Sequence, residues 1–384
     1  MTLAPAKTNL PLRIVGVISF MNAAGAQEAL LRIARHLRQR GHDMSVWFLY
    51  EEIPVFRNEP HTYTFAEKPK LSPLGYVKVF LALRHRIRRE KPDVVIGFLP
   101  LGQVFGAVAA ASSGVKARIA SQRVPGPTYG RVMRWLDWIC GTTGFYGRIV
   151  CVSEAVRASF SHYPLSYRRK LCVVHNGIDW PQTLPERDVA RRALGLAEDT
   201  TVFLAVGRLT KQKNYQFMLE RLAETPGIIL LIAGDGDLRG PLEKAALDLG
   251  VNDRVRFLGA VTRQAVRELL AASDVFIQTS AYEGQSNAVL EAMHAGLPII
   301  VGDIPTQRET VCDEAGAPVA ILAPLGDPQG WRDGMARLRD QPVLRARMGA
   351  TAKALVKRRF ALAEMIDGFE RVIREEVGRT NGLA

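Results

Sequence analysis

A chain of 384 residues, 47% hydrophobic and 23% charged, has a globular composition and is long enough for two domains of roughly 100–200 residues. Those proportions exclude a disordered, collagen-like or disulfide-scaffold chain, and no apolar run approaches the roughly 18 residues that a membrane-crossing helix needs. The formal charge of +13 is lopsided: 25 Lys/Arg face 11 Asp/Glu up to Trp180, whereas the remainder holds 26 against 27.

Strands are predicted in the first half at Arg13–Phe20, Met44–Leu49, Asp93–Leu99, Ala117–Ser121, Ile149–Ser153 and Leu171–His175. Helical patterns at Ala26–Arg40, Tyr76–Arg89 and Val104–Ala111 alternate with them. The opening run Ile14–Phe20, with Lys7 and Arg13 before it and Ala23-Ala24-Gly25-Ala26 after it, has the outline of a signal peptide. It is short for such a segment and continues into a helical pattern, so it is read as a first core strand. In the second half strands are predicted at Val202–Val206, Ile228–Ala233, Val255–Leu258, Val275–Thr279 and Pro298–Val301. Helices at Tyr215–Ala223, Leu238–Leu249, Arg263–Ala271 and Asn287–Ala295 separate them. Alternation of this kind predicts parallel sheets covered by helices on both faces. The fold expected is therefore α/β: residues 1–180, a linker at 181–199 carrying Pro181 and Pro185, a second domain at 200–355, and a C-terminal helical segment at 356–384. Two such Rossmann-like domains would face each other across a cleft, with ligands at the carboxyl ends of the strands.

Cys140, Cys151, Cys172 and Cys312 show neither CxxC nor Cys/His ligand spacing, so reduced thiols are expected. The basic excess of the first half is concentrated in two stretches. Tyr76–Lys91 sets Val77, Phe80, Leu81 and Ile87 beside Lys78, Arg84, Arg86, Arg88 and Arg89. Tyr129–Arg148 mixes Trp135, Trp138, Phe145 and Tyr146 with Arg131 and Arg134. Two readings fit: helices packed on a sheet with solvated basic faces, or helices that touch an anionic bilayer. No RNP, zinc-finger or basic-zipper signature supports nucleic acid.

Three loops carry candidate chemistry. Glu283-Gly284-Gln285-Ser286-Asn287 follows a strand and opens a helix that also bears Glu291. Gly284 permits close backbone approach, and free N–H groups at the helix start favour a phosphate. Gly207–Asn214 (GRLTKQKN) places Arg208 and Lys213 in one strand-to-helix loop, where both could meet a diphosphate. Asn22–Gln27, around Gly25, is a small-residue turn after the first strand. Gly234-Asp235-Gly236-Asp237 imitates a dinucleotide fingerprint and a metal-binding acid pair, but its third glycine, Gly240, falls one position late, and a tight turn explains both likenesses.

In order and spacing, GRLTKQKN at Gly207–Asn214, IAGDGDLR at Ile232–Arg239, EGQSNAVLEAMHAGLPII at Glu283–Ile300 and HNGID at His175–Asp179 resemble the family 4 (group 1) glycosyltransferases of the GT-B fold. The resemblance implies a retaining transferase that uses a UDP- or GDP-sugar; together with the basic, aromatic-rich first half, it gives an enzyme that extends a lipid-linked glycan acceptor in cell-surface polysaccharide or glycolipid assembly. It implies no metal and no cofactor. Arg208 and Lys213 match the residues that hold the diphosphate, Glu291 the ribose ligand, and Glu283 the acid at the donor sugar. Gly284, Gln285, Ser286 and Asn287 would meet sugar and phosphate; Phe257 and Gly259 lie where the base docks; Gly25 matches the loop that approaches the donor from the first domain. Two departures stand out. Ala24 replaces the usual first glycine of that loop, and Gln122-Arg123-Val124-Pro125 stands where many members have His, making Arg123 a candidate contact to sugar or acceptor. The implied site of action is the cytoplasm, peripheral on the inner face of the membrane. An epimerase or phosphorylase on the same fold, or a non-catalytic nucleotide-sugar-binding partner, are the alternatives.

Overall fold

The computed structural model describes residues 10–68, 71–181 and 183–382; Lys7, part of the signal-peptide outline, lies outside them. The chain forms two units. The first comprises the residues up to Asn176 together with those from Ala363 onward, and the second is Gly177–Leu362.

The first unit is a parallel sheet of β1 (Arg13–Met21), β2 (Asp43–Glu51), β3 (Thr62–Thr64), β4 (Val94–Phe98), β5 (Ala117–Gln122), β6 (Arg148–Cys151) and β7 (Leu171–Val173), in the order β3-β2-β1-β4-β5-β6-β7. β4 is buried along its whole length and β1 almost so, which is why both read as continuous apolar runs rather than as alternation. The second unit is a parallel sheet of β8 (Thr201–Val206), β9 (Ile228–Ala233), β10 (Val255–Gly259), β11 (Val275–Gln278), β12 (Ile299–Gly302) and β13 (Ile321–Ala323), in the order β10-β9-β8-β11-β12-β13. Helices cover both sheets, giving the α/β architecture read from the alternation. β3 and β13, three residues each at the sheet edges, had no sequence signal, whereas β7, equally short, was read from the apolar run Leu171–Val174 around it.

Two segments sit differently from the sequence reading. The expected linker, as described over 183–199, is built into the second unit: its helix Arg187–Ala193 packs there, with Arg187 and Arg191 reaching Asp274 at 2.6 and 3.3 Å. The end of the chain, set apart as a helical segment from 356, returns to the first unit in the helix Leu362–Thr380. Arg40 meets Asp367 at 2.6 Å and Glu370 at 2.7 Å, and Phe369 stacks on Phe98 with centroids 6.2 Å apart. An amphipathic pattern announces a helix but not which sheet it covers.

The tryptophan-rich segment divides as well. Trp135 and Trp138 are exposed on the helix Arg131–Thr142, whereas Tyr146 is core. Behind that helix lies a buried polar network: Gln122 Nε2 donates to Asp137 Oδ1 at 2.8 Å, and Tyr167 Oη donates to Asp137 Oδ2 at 2.8 Å. Burial pushes the Asp137 carboxyl up to about 6, against hydrogen bonds that favour its charge. The four cysteines are free, and burial pushes the Cys140 and Cys172 thiols up to about 11, which suppresses thiolate chemistry.

Candidate active site

In the second sheet the strand order reverses between β8 and β11, the place where an open α/β sheet leaves a crevice beyond its carboxyl ends. The loops after these two strands carry most of the predicted residues. They are stitched together by backbone and hydroxyl: Ala281 N donates to Gln212 O at 2.8 Å, and Thr279 Oγ1 lies 3.0 Å from the carbonyls of Lys213 and Asn214.

Lys213 and Glu283, 70 positions apart in sequence, meet here. Lys213 Nζ is 2.6 Å from Glu283 Oε1, and the carboxylate is buried. Gln278 Nε2 donates to the same oxygen at 2.8 Å, and Gln212 Nε2 approaches the other at 3.4 Å. Gln278 is itself held by Gln307 Nε2, which donates to Gln278 Oε1 at 3.1 Å. Glu283 thus points from a built pocket of amides and one ammonium. Arg208 lies in the same loop as Lys213; it is exposed, and its side chain pairs with no carboxylate among the described residues. One cation is therefore seated on a buried acid, and a second, exposed, stands in the same loop. Tyr215 Oη donates to Gly207 O at 3.0 Å, and burial, then the charge of Glu283, raises its phenol well above the ordinary value.

Gly284, Gln285 and Ser286 are buried between Glu283 and the helix Asn287–Ala295. Ser286 caps that helix, its Oγ accepting from Val289 N at 3.5 Å. The half-buried Glu291 lies in the helix's second turn, and its charge acts on the guanidinium of Arg263, which burial lowers and Glu291 raises. The Gly-Asp-Gly turn proves to be scaffolding for the loop next door. Gly234 has φ +143°, and a Cβ there would stand 2.1 Å from Gly207 O; one on Gly236 would stand 2.6 Å from Leu209 O. Leu209 N donates to Asp235 O at 3.0 Å, closing the β8 and β9 loops onto each other. Asp235 Oδ1 accepts from Gly236 N at 2.8 Å and its other oxygen is 3.7 Å from Arg239, so the acid serves its own turn. Gly259 ends β10, its carbonyl accepting from Gly234 N at 2.8 Å, with Phe257 half-buried two residues before it.

Gly25 and Arg123 belong to the first unit. Gly25 is exposed at the start of the helix Gly25–Gln39, directly after β1. Arg123 follows β5 and is buried. Its Nη2 donates to Asn176 Oδ1, and it stands 5.5 Å from the Phe98 ring centroid. Burial, then the neighbouring charge of Arg32, lowers its guanidinium to about 10.

Sequence reasoning missed Gln278, Gln307, Gln212 and Arg263. Gln278 left a trace, as the one polar residue closing the buried strand Val-Phe-Ile-Gln; Gln212 stood between Lys211 and Lys213 inside a quoted motif. Gln307 and Arg263 left none, because only the fold brings them near.

Two family models match the chain: "Glycosyltransferase Family 4" over residues 23–180 and "Glycosyl transferases group 1" over residues 186–355. Among curated relatives, the lipopolysaccharide core biosynthesis glycosyltransferase LpsE of Rhizobium meliloti is 27% identical over 76% of this chain and 79% of its own length. The Escherichia coli UDP-Gal:alpha-D-GlcNAc-diphosphoundecaprenol alpha-1,3-galactosyltransferase is 28% identical over 71% and 73%. Among solved structures, Anabaena HepE in complex with UDP-glucose superposes with a TM-score of 0.82 at 18% identity, covering 94% of this chain and all of that one. WaaG, a glycosyltransferase involved in lipopolysaccharide biosynthesis, gives 0.74 at 18% identity over 94% and 99%. At these identities the structural likeness speaks for the GT-B fold.

Proposed function

The chain belongs to the family 4 (group 1) glycosyltransferases, and from that premise we propose that it moves a sugar, with retention of anomeric configuration, from a UDP- or GDP-sugar to a lipid-linked glycan acceptor. The observation that carries this reading is the contact between Lys213 and Glu283 at 2.6 Å, beside Arg208, at the mouths of adjacent strands. Breaking a sugar–diphosphate bond builds negative charge on the departing diphosphate. Arg208 and Lys213 supply fixed positive charge there, and fixed charge stabilises a transition state without reorganising. On this reading those two cations take the role a metal would otherwise play, so turnover is expected to survive EDTA. Glu283 is placed to meet the donor sugar, the amides of Gly284–Asn287 the sugar and phosphate, and Glu291 the ribose hydroxyls, with Phe257 and Gly259 beside the base. Gly25 and Arg123 are the contributions expected from the first unit, to donor and to sugar or acceptor respectively.

The relatives named for lipopolysaccharide core and diphosphoundecaprenol substrates support glycan assembly and an acceptor held at a membrane. On the helix Pro73–Glu90, Leu74, Val77 and Leu81 are exposed among basic residues, and on Arg131–Thr142 so are Val132, Trp135 and Trp138. Such faces suit the headgroup layer of an anionic inner membrane surface, at which the enzyme would work from the cytoplasm. Among the described residues no helix is long and apolar enough to cross a membrane.

The test is a metal-free thermal-shift panel of nucleoside diphosphates and their sugars. A ligand at about a hundred times its Kd adds about 2.7 kcal/mol. A selective rise with one base, lost in Lys213→Ala, is the expected result. No rise with any member, on folded protein, would overturn the donor assignment.

A further inference from the structure

A second concentration of charge lies at the amino ends of β5, β6 and β7, the opposite edge of the first sheet from Arg123. A cavity of about 520 Å³ is lined there by Lys116, Arg118, Arg148, Lys170 and Arg379. Its volume is that of an ordinary small-molecule site. Five cations face two acids: Arg379 is paired with the buried Glu376 at 2.7 Å, and Arg148 stands 3.9 Å from Glu375. Three positive charges are left over.

The cations are partly tethered and keep donors to spare. Arg118 donates to the carbonyls of Val115, Gly144 and Phe145 at 2.5, 2.6 and 2.9 Å, leaving two of its five N–H groups. Lys170 Nζ donates to Gly141 O at 2.7 Å and Thr143 O at 2.5 Å, leaving one. Arg379 commits Nε and Nη2 to Glu376, so its Nη1 is unspent. Lys116 is exposed and pairs with no acid among the described residues. Holding Lys170 and Arg118 on backbone carbonyls fixes the carboxyl end of the helix Arg131–Thr142 and its following turn. That task needs two cations, whereas five have been gathered at a cost: burial, together with the like charges of Arg379 and Arg118, lowers the Lys170 ammonium.

Fixed guanidinium forks and ammoniums around a concavity match a dianionic, multiply accepting group. We propose that this cavity binds a phosphate-bearing ligand, a phosphomonoester or diphosphate, at a site separate from the loops after β8 and β11. The chemistry is shared by a soluble phosphate compound and a phospholipid headgroup. The inference does not rest on glycosyl transfer.

Titration calorimetry of the full chain with inorganic pyrophosphate tests it, because this probe should also occupy the Arg208/Lys213 loop. Two sites are expected in the unaltered protein. Lys116→Ala/Arg148→Ala should lose one, weakened at least about tenfold, and keep the other. Arg208→Ala/Lys213→Ala should do the reverse. Lys116→Glu serves as a second variant at an exposed position, with circular dichroism as the check of folding. Equal stoichiometry and Kd in the unaltered protein and both cavity variants would overturn the proposal. Sedimentation with phosphatidylcholine vesicles, with and without phosphatidic acid, then separates the sources. A tenfold loss of phosphatidic-acid-dependent binding in the double variant assigns the lipid headgroup; unchanged vesicle binding beside the lost pyrophosphate site assigns the soluble phosphate.

Discussion

Both units are parallel sheets sheathed in helices, yet they handle charge in opposite ways. At the carboxyl edge of the second sheet, Lys213 is matched to Glu283, and Asp235 lies by Arg239. In the first unit cations outnumber acids, at the amino-edge cavity and along the helices Pro73–Glu90 and Arg131–Thr142. If, as proposed, the carboxyl edge of the second sheet holds one small donor in one pose, it needs countercharges that keep that donor in register. A surface that gathers anions of varying size needs only an excess of positive charge. The net balance of each half, visible in the residue counts, is the coarse record of that division.

The sharpest way to break the contrast is at the pair itself. Lys213→Ala should lower kcat/KM about 10²–10³-fold, the usual effect of removing one fixed stabiliser of transition-state charge. Glu283→Ala should act as strongly, with steady-state turnover of folded protein as the readout. Near-normal turnover in either variant would leave the second unit with no electrostatic specialisation. Next in size is the scaffold beneath the pair. Gly234→Ala should cost about 3 kcal/mol or more, from its left-handed φ and a Cβ forced against Gly207 O. Gly240→Ala, with open space around it in the helix Arg239–Asp248, should stabilise by about 0.5–1 kcal/mol. Equal urea midpoints for the two variants would mean that loop closure is not what the glycines are for.

The remaining effects concern pH, and they lie in the first unit. Asp137 titrates near 6 when folded against an ordinary 3.8. The stability it contributes is complete below about 4 and is lost as pH rises through 6. Glu370 runs the other way: burial opposes its charge, but hydrogen bonds from Arg40, Arg374 and His42 outweigh it and hold the carboxyl at about 2. Its contribution is present above about 4.5 and disappears as pH falls through 2. Glu370→Gln should therefore destabilise by about 1–3 kcal/mol at pH 7 and not at all near pH 2. Asp137→Asn should flatten the slope between pH 4 and 6. Stability differences from the unaltered protein that stay the same at pH 2, 4, 6 and 7 would contradict both assignments.

What the sequence revealed follows the same division. Eleven strands and the loops that carry Lys213 and Glu283 were legible because buried parallel strands force apolar runs, and because loops that fit against each other need glycine at fixed spacing. Helices Tyr215–Ala223 and Asn287–Ala295 began and ended where their patterns did. Gln307, which steadies Gln278 beneath Glu283, was invisible, since a neutral amide on a helix looks like any surface residue until its partner is known. Arg123 was visible as a departure, but not its burial beside Asn176 and Phe98. Of the three-residue edge strands, β7 was legible from its apolar run Leu171–Val174, whereas β3 and β13 carried no such run.

The helix Leu362–Thr380 has a consequence in time. The chain leaves the first unit at Asn176, completes the second by Leu362, and only then supplies the helix that carries Phe369 to Phe98 and Glu370 to Arg40. During synthesis the second unit therefore has all its residues before the first does, although the first was begun earlier. The half made first is the half finished last, and until then Phe98 lacks its stacking partner and the Arg40 guanidinium lacks its carboxylates.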